Sequence, residues 1–392
     1  MNANKRFSRL AKQVSRYIPA SRIYTDPLYT LAKGTDASFY RLVPGLVIRV
    51  ESEAEVVRVL SLCSRSGLPV TFKAGGTSLS GQSITDAVLV EIGDGFKGFT
   101  ASENGRLVRL QCGITGGLAN GRLAKYGRRI GPDPASIGSA KIGGIVSNNA
   151  SGGAFGIKYN SYHTLRGIRI IFSDGTVLDT GDDDSRRQFT DSHPEILRNL
   201  LQLSKLVKAN PLLAAKIRHK YELKNTCGYG LNSLIDFEDP FEIIGHLMVG
   251  AEGTLGFITE VTLETVEEFP LKATALIFFP SLQSACKVIP RLMDCMVSAA
   301  ELMDGNALQS VRDRPGMPAE LSMIDRDAVA VLVDTSAHTR EVLDAQIEDI
   351  KSVFSSSETI FPVDFTHDRL LYEKRWKVRK GLFTSAAAAR PT

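Results

Sequence analysis

Residues 74–81, Ala-Gly-Gly-Thr-Ser-Leu-Ser-Gly, are a run of small residues set between two apolar segments, 69–72 (Pro-Val-Thr-Phe) and 87–92 (Ala-Val-Leu-Val-Glu-Ile). A glycine-rich connection between two strands lets successive main-chain N–H groups turn toward a single anion. The hydroxyls of Thr77, Ser78 and Ser80 add further donors. The pattern is neither a G-x-G-x-x-G that opens a helix nor a loop closed by Gly-Lys-Ser/Thr, so it reads as a nest with no helix dipole behind it. Taken singly, it is equally a tight turn that binds nothing. A second stretch, residues 143–153 (Gly-Gly-Ile-Val-Ser-Asn-Asn-Ala-Ser-Gly-Gly), repeats the same chemistry. Two such stretches together suit a diphosphate.

A chain of 392 residues is long for one hydrophobic core, which predicts two or three domains. With 43% hydrophobic and 23% charged residues, the composition is that of a soluble globular protein. The net charge of +4 is too small to indicate nucleic acid, and no block interleaves basic and aromatic residues. No apolar run reaches the ~18 residues of a membrane span, and no signal-peptide pattern follows the N-terminus. The five cysteines include no C-x-x-C pair, which argues against disulfides, a zinc knuckle or a cluster within this chain and fits a reducing cytoplasm. The six histidines lack metal-site spacing.

Residues 5–18 place Phe7, Leu10, Ala11, Val14, Tyr17 and Ile18 at helical spacing with basic residues mostly opposite. Such a helix either packs on its own domain or lies on an anionic lipid surface, and packing is the commoner outcome. Residues 46–50 read as a strand. Ser52 and Glu55 have capping-box spacing for a helix with Val56, Val59, Leu60 and Cys63 inward, and residues 69–72 form the next strand of a β-α-β unit. Beyond residue 106 the pattern predicts strand 107–111, helix 115–126, strand 168–172 turning into 177–178, and helix over 193–218. After Pro270 a new alternation predicts strands at 273–279, 300–304 and 328–334 and helices at 282–296 and 339–354, a separate antiparallel sheet backed by helices.

Three further turn-rich segments complete the pattern: 131–138 (Gly-Pro-Asp-Pro-Ala-Ser-Ile-Gly), 224–232 (Lys-Asn-Thr-Cys-Gly-Tyr-Gly-Leu-Asn) and 250–258 (Gly-Ala-Glu-Gly-Thr-Leu-Gly-Phe-Ile). The order GGTSLSG, GPDPASIG, GGIVSNNASGG, AEGTLGFITEV resembles the FAD-binding domain of the vanillyl-alcohol-oxidase superfamily. With Gly34-Thr35-Asp36-Ala37-Ser38 and the segment around Tyr229, the resemblance is to its D-lactate and D-2-hydroxyglutarate dehydrogenase branch, in the form of bacterial proteins whose flavin half precedes an iron-sulfur half.

The resemblance implies an α+β protein. A basic helix and arm (1–35) would precede a two-subdomain FAD-binding domain of the p-cresol methylhydroxylase (PCMH) type (36–268, divided near residue 95) and an incomplete substrate-binding cap with an antiparallel sheet (269–392). It assigns FAD to Ala74, Gly75, Gly76, Thr77, Ser78, Leu79, Gly81 and Gln82 around the diphosphate. Pro132, Asp133, Pro134, Ser136, Gly144, Ser147, Asn148, Asn149, Gly152 and Gly153 would line the ring and ribityl chain, and Glu252, Gly253 and Ile258 would close over the adenosine or the ring edge. No histidine stands in the first loop, so the FAD is expected to be noncovalent.

In the cap, Trp376-Lys377-Val378-Arg379 resembles the family's W-x-x-R, whose arginine clamps the substrate carboxylate; the neighbouring Lys374, Arg375, Lys377 and Lys380 read as a solvated basic face. The implied reaction is oxidation of a D-2-hydroxy acid, D-2-hydroxyglutarate or D-lactate, by hydride transfer to flavin N5. Electrons would pass to iron-sulfur centres, a quinone or a cytochrome. The family's metal and base histidines and its cluster cysteines would lie beyond residue 392, so the alanine-rich ending reads as a truncation, and no catalytic base is assigned here. The other reading is a noncatalytic FAD-binding subunit or remnant that needs a separate iron-sulfur partner. The expected location is cytoplasmic, with peripheral contact to the inner membrane through the N-terminal helix as a further expectation.

Overall fold

The computed structural model describes residues 3–152, 156–226 and 228–388. They fold as two compact units, the first taking residues up to Ser151 and Gly156–Val266, the second Gly152 and the residues from Glu267 onward.

The first unit starts with α1 (Ala3–Val14), β1 (Ile23–Tyr24), α2 (Pro27–Lys33), β2 (Leu46–Val50), α3 (Glu53–Ser66), β3 (Val70–Lys73) and β4 (Val88–Ile92). The strand order is β1-β2-β4-β3, with β2, β4 and β3 parallel and β1 antiparallel at the edge. β2 and β4 are nearly continuous apolar runs because both faces of a parallel sheet are covered. On one face lies α3, started by Ser52, whose hydroxyl accepts from Glu55 N, and stopped by Gly67 at φ +58°. Its buried residues are Val56, Val59, Leu60 and Cys63, the set expected from the helical spacing. The basic helix α1 packs on this same layer: Leu10 and Val14 join the core with Ile18, and Arg6 donates to the carbonyls of Ser66 and Gly67 at the end of α3.

The unit continues through β5 (Phe99–Ser102), β6 (Leu107–Gln111), α4 (Gly116–Leu123), β7 (Arg128–Ile130), α5 (Ile142–Ser147), α6 (Ser161–Thr164), β8 (Leu165–Ile171) and β9 (Val177–Asp179). Then come α7 (Asp183–Ser192), α8 (Pro194–Ala209), α9 (Pro211–Tyr221), α10 (Ser233–Asp236), α11 (Pro240–Met248) and β10 (Phe257–Glu267). A second sheet, ordered β5-β6-β10-β8-β9, is antiparallel throughout, and β7 also pairs with β10. The single helix expected over 193–218 is two helices. Pro211 has no N–H to continue α8, and Asn210 caps α9 by accepting from Leu213 N. The start of the second glycine stretch, read as a loop, is the short helix α5.

The second unit contains β11 (Leu271–Phe279), α12 (Leu282–Val288), β12 (Ala299–Met303), α13 (Gly305–Val311), β13 (Val329–Ala337), α14 (Arg340–Phe354) and α15 (Arg369–Ala388). Its sheet is antiparallel, β11-β13-β12. α14 covers it with Leu343, Ile347, Ile350, Val353 and Phe354 buried. The helix expected over 282–296 stops at Val288 and tightens into a 3-10 turn, Ile289–Asp294, carrying Pro290 at its start.

No described helix is long and apolar enough to cross a membrane. Because Leu10 is 1% exposed, Leu10→Ala should destabilise the first unit by about 2–5 kcal/mol in urea unfolding, the cost of a core cavity. A helix held only by lipid would show no change.

Candidate cofactor site

The connection from β3 to β4 is shaped from within. Gly76 and Gly81 have φ of +63° and +78°, which a side chain would strain. Ser78 Oγ accepts from Ser80 N (3.2 Å) and Gln82 N (3.3 Å) and bonds the Gln82 side chain. This hydroxyl therefore folds the loop rather than facing outward. Among the described residues, none of the five N–H groups from Gly75 to Leu79 donates to a protein acceptor, nor does that of Gly144 at the start of α5. The loop is strapped from behind by residues 33–38. Ala37 N donates to Gly76 O (3.0 Å), Lys73 Nζ to Lys33 O (3.0 Å) and Thr35 O, and buried Asp36 accepts from Ser38 and from Ser83 Oγ (3.1 Å).

Four stretches that are distant in sequence meet at this loop. A Cβ on Gly75 would lie 2.5 Å from Ser139 O, so only glycine lets the loop touch the 136–140 turn, whose Ser136 O accepts from Ser139 N and Ala140 N. A Cβ on Gly144 would stand 3.9 Å from the Ala74 methyl and one on Gly253 3.7 Å from the Phe72 ring. Glu252 N donates to Ser147 O (3.0 Å) and Gly250 N to Val146 O (3.2 Å). The Glu252 carboxylate accepts from Asn148 Nδ2 (2.7 Å) and Gln82 Nε2 (3.5 Å). Burial raises its pKa, opposed by the Asn148 bond. Lys141, whose pKa burial lowers, donates to Ile92 O at 2.7 Å and ties the start of α5 to the end of β4.

The remaining positions divide by role. Asn149, at φ +54°, ends α5 in a Schellman turn (Asn149 N to Val146 O, Ala150 N to Ile145 O). Its side chain is engaged inside the protein, accepting from Tyr162 N (3.0 Å) and donating to Asn225 O (3.2 Å). Asp133 N donates to Ser151 O, and Pro134 O accepts from Ile137 N. Ile258 packs into the core of the second sheet. Pro132 is buried, while Thr77 and Leu79 stand at least partly open. Gly152 has φ +73°; Gly153 and Cys227 lie outside the described residues.

These residues fit a dinucleotide. Among the described residues, six N–H groups without an acceptor stand on two segments that approach each other at Ala74 and Gly144. A Cβ on Gly138 would meet nothing within 4 Å and one on Gly144 only the Ala74 methyl, so glycine there leaves open space beside the backbone. Ser151 Oγ is buried and has no partner among the described residues.

A separate cavity of about 410 Å³ in the first unit is lined by Tyr162, His163, Leu165, Arg166, Asp236, Phe237, Glu242 and His246. Burial depresses the pKa of His246 to about 4, leaving a neutral ring whose Nδ1 lies 2.8 Å from Glu242 O. No sequence pattern pointed to it.

In the second unit, α15 is pinned by its polar residues. Arg375 is not on a solvated face: it donates to Thr274 O (2.7 Å) and Asp364 O (2.9 Å) and pairs with the Asp364 carboxylate (2.8 Å). Lys377 donates to Pro315 O (2.8 Å). Asp334, on β13, accepts from Tyr372 OH (3.1 Å) and Trp376 Nε1 (3.3 Å). Arg379 lies over the Trp376 ring at 5.4 Å and bonds Glu301 at 2.8 Å. Glu301 and Asp334 stand in otherwise apolar strand patterns, and their juxtaposition with α15 leaves no mark in sequence.

Two family descriptions match the chain, FAD binding domain over residues 44–181 and FAD linked oxidases, C-terminal domain, over 270–392. The chain therefore carries a segment matching the FAD binding domain followed by one matching the C-terminal domain of FAD linked oxidases. Among curated relatives, D-2-hydroxyglutarate dehydrogenase of Pantoea ananatis is 25% identical over 302 residues, covering 72% of this chain and 28% of that protein. A Schizosaccharomyces pombe protein named as a mitochondrial D-lactate dehydrogenase is 25% identical over 362 residues, 90% of this chain and 59% of its own. The chain thus spans only part of the relatives it matches. The crystal structure of p-cresol methylhydroxylase with substrate bound aligns at a TM-score of 0.63 and 10% identity, covering 98% of this chain and 72% of that one, which shows the PCMH-type fold.

Burial raises the pKa of Asp334 from 3.8 to about 6, so its neutral form is favoured in the folded state. The resulting stabilisation is complete below pH 3.8 and is lost as pH rises through 6, on the order of 3 kcal/mol. Urea midpoints at pH 4 and pH 7 should show the fall, and Asp334→Asn should flatten it; an unchanged slope in the variant would assign the fall to other groups.

Proposed function

We propose that this chain binds FAD noncovalently in the groove formed by residues 74–82, 132–139, 142–149 and 250–253, and that the protein it represents oxidises a D-2-hydroxy acid such as D-2-hydroxyglutarate or D-lactate. The observation that carries the cofactor assignment is the row of unused N–H groups from Gly75 to Leu79, joined by that of Gly144. Main-chain donors in a concave turn suit a diphosphate, since they stabilise its charge without a counter-cation. The absence of histidine from residues 74–82 supports noncovalent attachment. The bound flavin supplies a hydride acceptor.

The substrate side rests on α15 and on the names of the relatives. Arg379 holds a planar guanidinium against Trp376 with its edge, bonded to Glu301 here, suited to a carboxylate, and two parallel hydrogen bonds to a substrate carboxylate would fix the neighbouring carbon. Arg375 and Asp334 keep that helix in place. Electrons leave through iron-sulfur centres or a quinone supplied outside this chain. Where those centres sit on a separate subunit, a cysteine-rich partner should copurify.

Reconstitution with FAD should give a flavin absorption band that survives gel filtration, and a purified chain that retains no flavin overturns the cofactor assignment. Among the described residues outside its own helix, a Cβ at Gly144 meets nothing closer than the Ala74 methyl at 3.9 Å, so Gly144→Ala is sterically mild. It should leave the apoprotein melting temperature within about 2 °C while weakening FAD at least about tenfold, read by flavin fluorescence titration. Anaerobic bleaching of the flavin by D-2-hydroxyglutarate or D-lactate tests the substrate class, and bleaching by neither across the full-length protein removes it.

A further inference from the structure

We propose that Glu301 is a built-in competitor at Arg379: its carboxylate holds the guanidinium in the unliganded protein, and an incoming substrate carboxylate displaces it. The inference rests on the reading of Arg379 as the carboxylate clamp.

Two arginines one helical turn apart on α15 are held differently. Arg375 makes three bonds, two to main-chain carbonyls and one to Asp364, and its side chain is 16% exposed. That is an anchor, because the Thr274 carbonyl belongs to β11 and cannot move away without breaking that strand. Arg379 is as well covered, at 11% exposure, yet among the described residues its one polar partner is Glu301 Oε1 at 2.8 Å. The contact is a single N–H···O bond rather than the two-bond fork that a guanidinium makes with a free carboxylate.

Glu301 is placed to let go. It sits on β12, one of the two edge strands of the sheet, its side chain is 27% exposed, and among the described residues it has no second cation. Releasing Arg379 therefore strands no buried charge, provided another carboxylate takes its place. The indole of Trp376 covers one guanidinium face and stays put through its bond to Asp334, so the exchange happens in the guanidinium plane. An arginine this covered and left without an anion is costly, and Glu301 removes that cost in the empty protein. The consequence is selectivity. A ligand must offer an ionised carboxylate in two-bond geometry to displace the internal one, and neutral or singly bonding ligands are excluded.

Trp376 is the only tryptophan of the chain, and it lies beside the guanidinium, so its fluorescence reports the site without turnover. D-2-hydroxyglutarate and D-lactate are titrated into the FAD-loaded chain and into Glu301→Gln, Glu301→Asp and Arg379→Met. The expected result is binding tightened about tenfold in Glu301→Gln, the scale of one charge-assisted hydrogen bond removed from competition, and by a smaller factor in Glu301→Asp, which keeps the charge on a shorter arm. Arg379→Met should abolish the signal change. If neither Glu301 variant binds more tightly while Arg379→Met still abolishes binding, Glu301 orients the arginine instead of competing, and this proposal falls with the clamp intact. If Arg379→Met binds like the parent, the clamp itself is wrong.

Discussion

Six main-chain N–H groups without acceptors among the described residues, five of them consecutive, are the constraint around which the first unit is arranged. A peptide donor left without a partner is costly, and a free loop would fold to satisfy its own. Here collapse is prevented on three sides. Ser78 draws the loop around its hydroxyl, Lys73 and Asp36 hold the strap behind it, and Gly75 rests directly on the Ser139 carbonyl. The glycines matter less for flexibility than for space: at Gly75 a methyl group would occupy the point where two backbones touch.

The same unit shows how a wall is made from segments with no common element. Val146 and Ser147 at the end of α5 accept from Gly250 and Glu252, while Asn148 and Gln82 close on the Glu252 carboxylate. Such a wall is stiff because each segment is tied to two others. The second unit works by a different principle. Its polar residues meet at one helix: Arg375 is held by the carbonyls of Thr274 on β11 and of Asp364, Arg379 by the partly buried side chain of Glu301.

Much of this was legible in the chain. Parallel strands buried on both faces read as apolar runs, and α3 carried both its caps and its buried set in plain spacing. The glycine motifs marked segments that the fold brings into contact. Harder to see were features that depend on competition between neighbours. Residues 142–147 contain two glycines and read as loop, yet Ile142, Ile145 and Val146 bury on one side and make a helical turn worthwhile. Pro211 looked like a residue inside one helix and instead divides two. Arg375 looked like one member of a basic face, since nothing in sequence shows that Thr274 and Asp364 lie beneath it.

Sequence alone determined the apolar runs of the buried strands, the caps and buried face of α3 and the glycine-rich connections, because backbone freedom, periodic burial and ionic character belong to each residue and its near neighbours. Only the tertiary structure decided which donors remain free, that Ser78 and Asn149 serve the fold with their side chains, and that Glu301 faces Arg379. Those are pairings across long stretches of chain, and a hydrogen bond is settled by the distance between two groups, which the order of residues does not contain.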